Sequence, residues 1–170
     1  SACCHGPFDI SPADAELVHA AIARLAPPVR DAIRVKAERQ VAQYSALEAG
    51  WHAPWRVDTL TEACFDRVVE SLAGDPCPAL GEDGACLIHE DRPATCRMTG
   101  LAMQTHQGDV LENVCPILHT SDAFAGMAPA RFDLSKLETA AEDYDADAEA
   151  RGWSRTTVAG AVLREPAGRS

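Results

Sequence analysis

Residues 75–117 read DPCPALGEDGACLIHEDRPATCRMTGLAMQTHQGDVLENVCPI, and this stretch decides how the chain is organised. It carries Cys77, Cys86, Cys96 and Cys115, four of the seven cysteines. Cys77 and Cys115 each precede a proline. Proline lacks an N–H and fixes φ, so neither cysteine belongs inside a continuing helix. Asp83-Gly84 is a tight-turn signal, which predicts a small hairpin between Leu80 and Ala85–Ile88 that presents Cys86. Arg92-Pro93 opens a short turn or helix carrying Cys96. Gly108-Asp109 separates two short runs, Leu101–His106 and Val110–Val114, which read as a second hairpin delivering Cys115. Four soft ligands on a punctuated, loop-rich backbone are what a closed metal site requires.

The surroundings of this stretch are helical in pattern. Ser11-Pro12-Ala13-Asp14 is a helix start, with an N-cap serine, a proline in the first turn and an acid close behind. Leu17, Ala21, Ile22 and Leu25 then give one apolar face. Pro27-Pro28 ends that helix and begins another, whose face is Val29, Ile33, Ala37, Val41 and Tyr44, running toward Gly50. Arg30, Arg34, Lys36 and Arg39 fall on or beside its polar side and read as a solvated face in preference to an anion site. Trp51-His52-Ala53-Pro54-Trp55 is a loop whose aromatics are expected to pack on this scaffold, the alternatives being to cover the metal site or line a ligand groove. Thr59-x-x-Glu62 is a capping box, and Leu60, Cys64, Val68 and Leu72 form the stripe of the helix after it. That spacing predicts Cys64 as a core residue rather than a ligand. Ser135-x-x-Glu138 is a second capping box before the stripe Leu134, Leu137, Ala141 and Tyr144. The acids from Glu142 to Glu149 read as its solvated face, since they lack the glycine-centred calcium-loop pattern. Thr156–Arg164 makes a last short helix.

Bulk properties bound the function. A chain of 170 residues suffices for one domain, 1–170, with a core of its own. Its 46% hydrophobic content with only 5% aromatics implies small-residue helix packing. The formal charge of −11 repels phosphate backbones, which argues against nucleic acid as a partner. No apolar run approaches a membrane span and no secretory core opens the chain, so a cytoplasmic location is expected. Seven thiols in that compartment are reduced ligands rather than disulfides. The chain begins at Ser1 rather than methionine, so further residues, cysteines among them, are expected upstream.

The cysteine spacings do not choose a metal. Zinc fingers bring ligands in as pairs two to four residues apart. The close pair here is Cys3 and Cys4, which are adjacent and reach one metal only if the backbone turns near Gly6-Pro7. Iron–sulfur clusters need only four thiolates converging from any loops, and Cys-Pro steps commonly sit beside them. His5, His106 and His119 are alternative ligands or donors to ligands, and each also suits an ordinary surface position. Arg92 and Arg97 bracket Cys96, either offsetting thiolate charge or pairing with Glu90 and Asp91. A Cys96–His89 nucleophile pair is the weakest of these readings. No hydrolase elbow, phosphate-binding loop or dinucleotide fingerprint occurs, and no catalytic residue is assigned.

Taken in order, Cys3-Cys4-His5-Gly6, Cys77-Pro78-x-Leu80 and Gly84-x-Cys86-x-Ile88-x-Glu90-x-Arg92-Pro93-x-x-Cys96-Arg97 resemble the YkgJ-type cysteine-cluster family, a zinc- or iron-chelating domain. The resemblance implies metal binding through Cys3, Cys4, Cys77, Cys86 and Cys96, with Cys115 matching a further cysteine of many members. Relatives open with C-x-x-C-x-x-C-C, whose first two cysteines would lie upstream of Ser1, and carry an aromatic where this chain has His89. Flagellin lysine N-methylases look distantly similar in the same region and are associated with an iron–sulfur cluster.

The expected fold is mainly α, a small helical domain with short β-hairpins around a cysteine-ligated metal site. The expected function is metal binding, with a 4Fe–4S cluster favoured and a redox or protein- or peptide-modifying role. The alternatives are a structural zinc domain serving protein interaction and a methyltransferase-like enzyme.

Overall fold

The computed structural model describes residues 4–100, 102–104, 108–112, 130–131 and 134–164 of the 170-residue chain. Its architecture is mainly helical, as the periodicity predicts. Helix α1 spans Pro12–Ala23 and α2 spans Pro27–Leu47. Ten-residue α3 covers Glu62–Ser71, and α4 is a single turn over Ala94–Met98. Then come α5, Leu134–Ala150, and α6, Val158–Leu163. Strands are short. β1 (Asp9–Ile10) pairs antiparallel with β5 (Thr156–Thr157), matching Asp9 to Thr157 and Ile10 to Thr156. A second sheet has the order β3-β2-β4, from Ala102–Gln104 (β2), Val110–Glu112 (β3) and Ala130–Arg131 (β4). Its antiparallel β2–β3 pair is the hairpin expected around Gly108, and β4 joins β2 in parallel.

Local chemistry explains where the helices start. Ser11 Oγ accepts from the Asp14 N–H at 3.2 Å, and the Ala13 N–H, another orphan of the first turn, donates to Asp145 Oδ1 on α5 at 2.9 Å. The α1 terminus is thereby capped partly by a distant helix. Helix α3 is capped by Thr61, whose Oγ1 accepts from the Cys64 N–H at 3.3 Å. The box predicted at Thr59 is therefore corrected. Val57–Thr59 forms a 3₁₀ turn, and the Thr59 hydroxyl donates to the Arg56 carbonyl instead. Likewise α5 already begins at Leu134, which puts Ser135 inside the helix rather than at its cap.

The core lies where α1, α2 and α6 meet, with α5 packed on α1. Ile10, Val18, Ile33, Tyr44, Trp51 and Val68 are all but inaccessible. Trp51 stacks on Tyr44 with ring centroids 4.7 Å apart, meets Phe65 edge-on at 5.9 Å, and donates its indole N–H to the Arg56 carbonyl at 3.0 Å. The aromatic loop is thus scaffold. Two stripes differ from their prediction. On α1 the buried residues are Ala15, Val18, Ala21 and Ile22, while Leu17 faces outward at 37% exposure. On α5, Ala148 is fully buried and Tyr144 is 68% exposed. The bond from Ala13 to Asp145 rotates α5 so that the Asp145 side faces α1, overriding the apolar count. Leu80 and Cys86 make one isolated bridge rather than a hairpin of strands.

Candidate metal centre

Three backbone ties bring separate cysteines toward one place. The Cys77 N–H donates to the Cys4 carbonyl at 2.8 Å, and His5 bridges Pro76 in the same antiparallel pairing. Gly6 makes that approach possible. It sits at φ +80°, donates to the Asp75 carbonyl at 2.7 Å, and lies so close to α3's end that a Cβ would meet Ala73 Cα at 3.3 Å. Beyond Cys77 the chain folds back on itself. The Leu80 N–H donates to the Cys77 carbonyl at 2.9 Å, Gly81 N–H to Ala85 at 2.8 Å, and Leu87 N–H to Ala79 at 2.9 Å. Gly84 takes the left-handed conformation the turn requires. These bonds hold Cys86 opposite Leu80.

Helix α2 fixes the loop from beneath. Tyr44 OH donates to Gln40 Oε1 at 2.9 Å, and Gln40 Nε2 donates to Asp75 Oδ2 at 3.0 Å, two residues before Cys77. Lys36 Nζ donates to the Leu80 carbonyl at 2.7 Å. Lys36 and Arg39, read from the sequence as a solvated face, therefore brace the cysteine loop, since Arg39 also pairs with Asp75 at 3.2 Å. Cys96 arrives on α4, whose first turn is tied to α1 where the Ala94 N–H donates to Asp14 Oδ2 at 3.0 Å. Burial holds the Asp14 carboxyl above its ordinary range, with the Ala94 bond acting against it.

Cys4, Cys77, Cys86 and Cys96 line one cavity of about 320 Å³. Its apolar wall includes Phe8, Ile88 and Val158, and its polar rim is His89 and Arg92. No disulfide joins the described cysteines. Burial pushes the Cys77 thiol up to about 12. The Ala79 backbone bond opposes that rise, while the nearby Cys86 and Cys4 sulfurs add to it and Lys36 counters it. At neutral pH this thiol keeps its proton unless a cation displaces it.

Arg92 supplies positive charge at the rim. One of its terminal nitrogens stands 3.0 Å from the His89 ring, while its buried Nε has no hydrogen-bond partner among the described residues. A buried guanidinium N–H on a side chain that lines the four-cysteine cavity suits an electron-rich, thiolate-ligated group filling that cavity. Arg97 has a different task. Its Nε donates to the Arg92 carbonyl at 3.1 Å and its Nη2 to the Glu90 carbonyl, so it clamps the turn backbone. Asp91 pairs with Arg24 at 2.8 Å.

Among the described residues, no three His, Cys, Asp or Glu side chains are grouped to hold a single ion. Four of the described cysteines nonetheless line the one cavity. Cys3, Cys115, His106 and His119 lie outside the described residues. His5 is described and exposed. Cys64 is elsewhere, as expected, but the core position predicted for it is corrected. It is half-buried on α3, with Arg67 Nη2 at 3.3 Å from its sulfur, on an edge of the helix that does not pack against the core cluster. Phe8 and Val158 were not legible as cavity residues, since their approach depends on the β1–β5 pairing.

No helix among the described residues is long and apolar enough to cross a membrane. Comparisons with curated proteins and with solved structures gave no match. A family model does match, over residues 1–116, and its description is "putative zinc- or iron-chelating domain". The chain belongs to this CxxCxxCC family of metal-chelating, cysteine-rich domains.

Proposed function

We propose that the chain carries an iron–sulfur centre, of the 4Fe–4S type, on thiolates drawn from Cys4, Cys77, Cys86 and Cys96, with Cys3 and Cys115 as further ligand candidates. The carrying observation is the four-cysteine cavity of about 320 Å³. A lone zinc, with Zn–S bonds of about 2.3 Å, needs its sulfurs within roughly 4 Å of one another. A polynuclear cluster accepts thiolates that stand further apart, and a four-cysteine cavity of about 320 Å³ has room for one. When bound, such a centre supplies one-electron transfer. The protein's own residues then set its surroundings. Phe8, Ile88 and Val158 keep water from one side, and Arg92 offsets the negative charge of the thiolates. The exposed His89 rim opens this site toward a protein or peptide partner, where redox chemistry or modification would occur in a cytoplasmic setting.

The test is anaerobic reconstitution followed by iron, sulfide and zinc analysis. The expected protein is brown, with broad visible absorption and matched iron and acid-labile sulfide. Cys77→Ser and Cys86→Ser each abolish the colour, whereas Cys64→Ser keeps it. A colourless protein holding stoichiometric zinc would replace this reading with the structural-zinc one. Wild-type-like iron content in Cys77→Ser would remove the cavity from the account.

A further inference from the structure

We propose that a second cavity, between α1, α2 and the C-terminal end of α6, binds a small organic oxyanion carrying at least two negative charges. It has a volume of about 400 Å³ and is lined by Arg30, Arg34, Arg164 and His19, with Ile22 and Val162 as its apolar floor. Among the described residues no carboxylate lines it. In a chain of formal charge −11, three guanidiniums face one space, while the acids that act on two of them, Glu38 on Arg34 and Glu16 on Arg164, lie outside its lining. Like charges so gathered repel, and a multivalent anion relieves all three at once.

The cationic groups are only weakly engaged by the protein itself. Arg30 reaches the Ala23 carbonyl at 3.4 Å, a long contact, and has no carboxylate partner among the described residues. Arg34 shares an exposed pair with Glu38 at 3.2 Å, more than half accessible on both sides, which holds it loosely. Arg164 is held in place by neutral groups, with Glu16 acting on it only through charge. It lies over the Trp153 ring at 4.3 Å and donates to the Gly152 carbonyl. Glu16, the acid nearest to it in charge, is taken by a two-point pair with Arg151 at 2.6 and 2.8 Å. His19 is also fixed. Its Nδ1–H donates to the Ala161 carbonyl at 3.1 Å, and its ring lies 5.3 Å from Trp153. Two of the four polar groups are thus positioned by the fold, and the other two, Arg30 and Arg34, are held only by weak surface contacts that a ligand can displace.

The space exceeds what a lone inorganic ion fills and falls within the range of small-molecule sites. Ile22 and Val162 give the ligand's carbon skeleton an apolar surface. The site is distinct from the cysteine cavity, although α6 touches both, with Val158 at one and Val162 at the other. It stands whether or not the iron–sulfur reading holds.

Calorimetric titration of the metal-loaded protein at low ionic strength, with citrate and with glycerol 3-phosphate, tests it. Saturable binding of at least one is expected, weakening as salt rises. Whichever binds more tightly identifies the ligand as polycarboxylate or phosphorylated. Arg30→Gln should weaken it about tenfold, the loss of one charge-assisted contact, and Arg30→Gln with Arg34→Gln should abolish it. Both side chains are exposed, so the variants should keep the wild-type urea midpoint. Arg67→Gln, on α3, should bind like wild type. Absence of saturable binding by both anions would overturn the proposal, as would equal weakening by Arg67→Gln. Inorganic phosphate binding as tightly as either organic anion would overturn the assignment of an organic ligand.

Discussion

Replacing Gly6 by alanine tests how the N-terminal cysteine reaches its cavity. Gly6 has φ +80°, a left-handed conformation that costs an ordinary residue about 1–2 kcal/mol. The added methyl would also meet Ala73 Cα at 3.3 Å, and a backbone atom at a helix end cannot swing away as a side-chain tip would. Against this, alanine narrows the unfolded ensemble, which offsets about 0.4–1 kcal/mol. The net destabilisation is then roughly 1 kcal/mol from conformation, with the contact adding to it. The functional effect should be larger than the stability effect. Gly6 donates to Asp75 at 2.7 Å, and Cys4 accepts from Cys77 at 2.8 Å, so the methyl pushes apart the two segments that bring these cysteines together. Gly50→Ala is the matched control, since a Cβ there meets nothing within 4 Å. Urea unfolding and metal content after identical reconstitution are the readouts. Gly6→Ala should unfold at lower urea and retain substantially less metal than Gly50→Ala. Equal metal content in the two variants would mean that the Gly6 turn does not deliver Cys4.

Two further outcomes follow from side-chain geometry. Arg92→Gln leaves all four cavity cysteines in place but removes the guanidinium whose Nε is buried and unpartnered among the described residues, so metal affinity should fall about tenfold or more in chelator competition. Glu16 accepts from Arg151, which holds its carboxyl below the ordinary range. Its folded pKa is lowered, so its stabilising contribution is complete above the unfolded value of 4.5 and fades as pH drops through the folded value. Glu16→Gln should therefore lower the urea midpoint at pH 7, with the gap to wild type closing in acid; a gap that widens in acid would contradict the pairing.

Much of the scaffold was legible because its signals are local. Ser11-Pro12 marks a helix start through a side-chain cap and Pro27-Pro28 through missing N–H groups, signals that sit within a few residues of the helices they open. The cysteine loop was legible for a related reason, since Cys-Pro steps and Asp83-Gly84 dictate turns. Misreadings arose where a long-range bond outweighed a local pattern. Asp145, counted as one acid in a solvated run, caps α1 and sets which side of α5 is buried. Lys36 and Arg39 looked like solvent-facing charge until the loop they brace was placed beside them. Cys64 illustrates the limit most directly. Its apolar spacing on α3 is sound, yet an amphipathic stripe cannot say which of its edges borders Arg67 and solvent.

The chain's closure makes a last prediction, about how much of it the metal centre needs. The family match ends at residue 116, and a domain read from motifs alone would end there too. The cavity does not. Val158 forms part of its wall, and β5 pairs with β1 directly after Phe8, another wall residue. Every residue from Val158 to Val162 is buried. Val158 and Val162 alone represent about 3–6 kcal/mol of burial at 1.5–3 kcal/mol each, against a whole-domain stability of about 5–15 kcal/mol. A chain ending at residue 116 therefore exposes the α1–α2 core and opens the cysteine cavity on its Val158 side. Circular dichroism and metal analysis should show it poorly folded and metal-poor, despite its having every candidate cysteine ligand. A truncated chain that folds cooperatively and takes up a full complement of metal would mean that the motif-bearing part suffices, and that the C-terminal helix packs against the site without helping to build it.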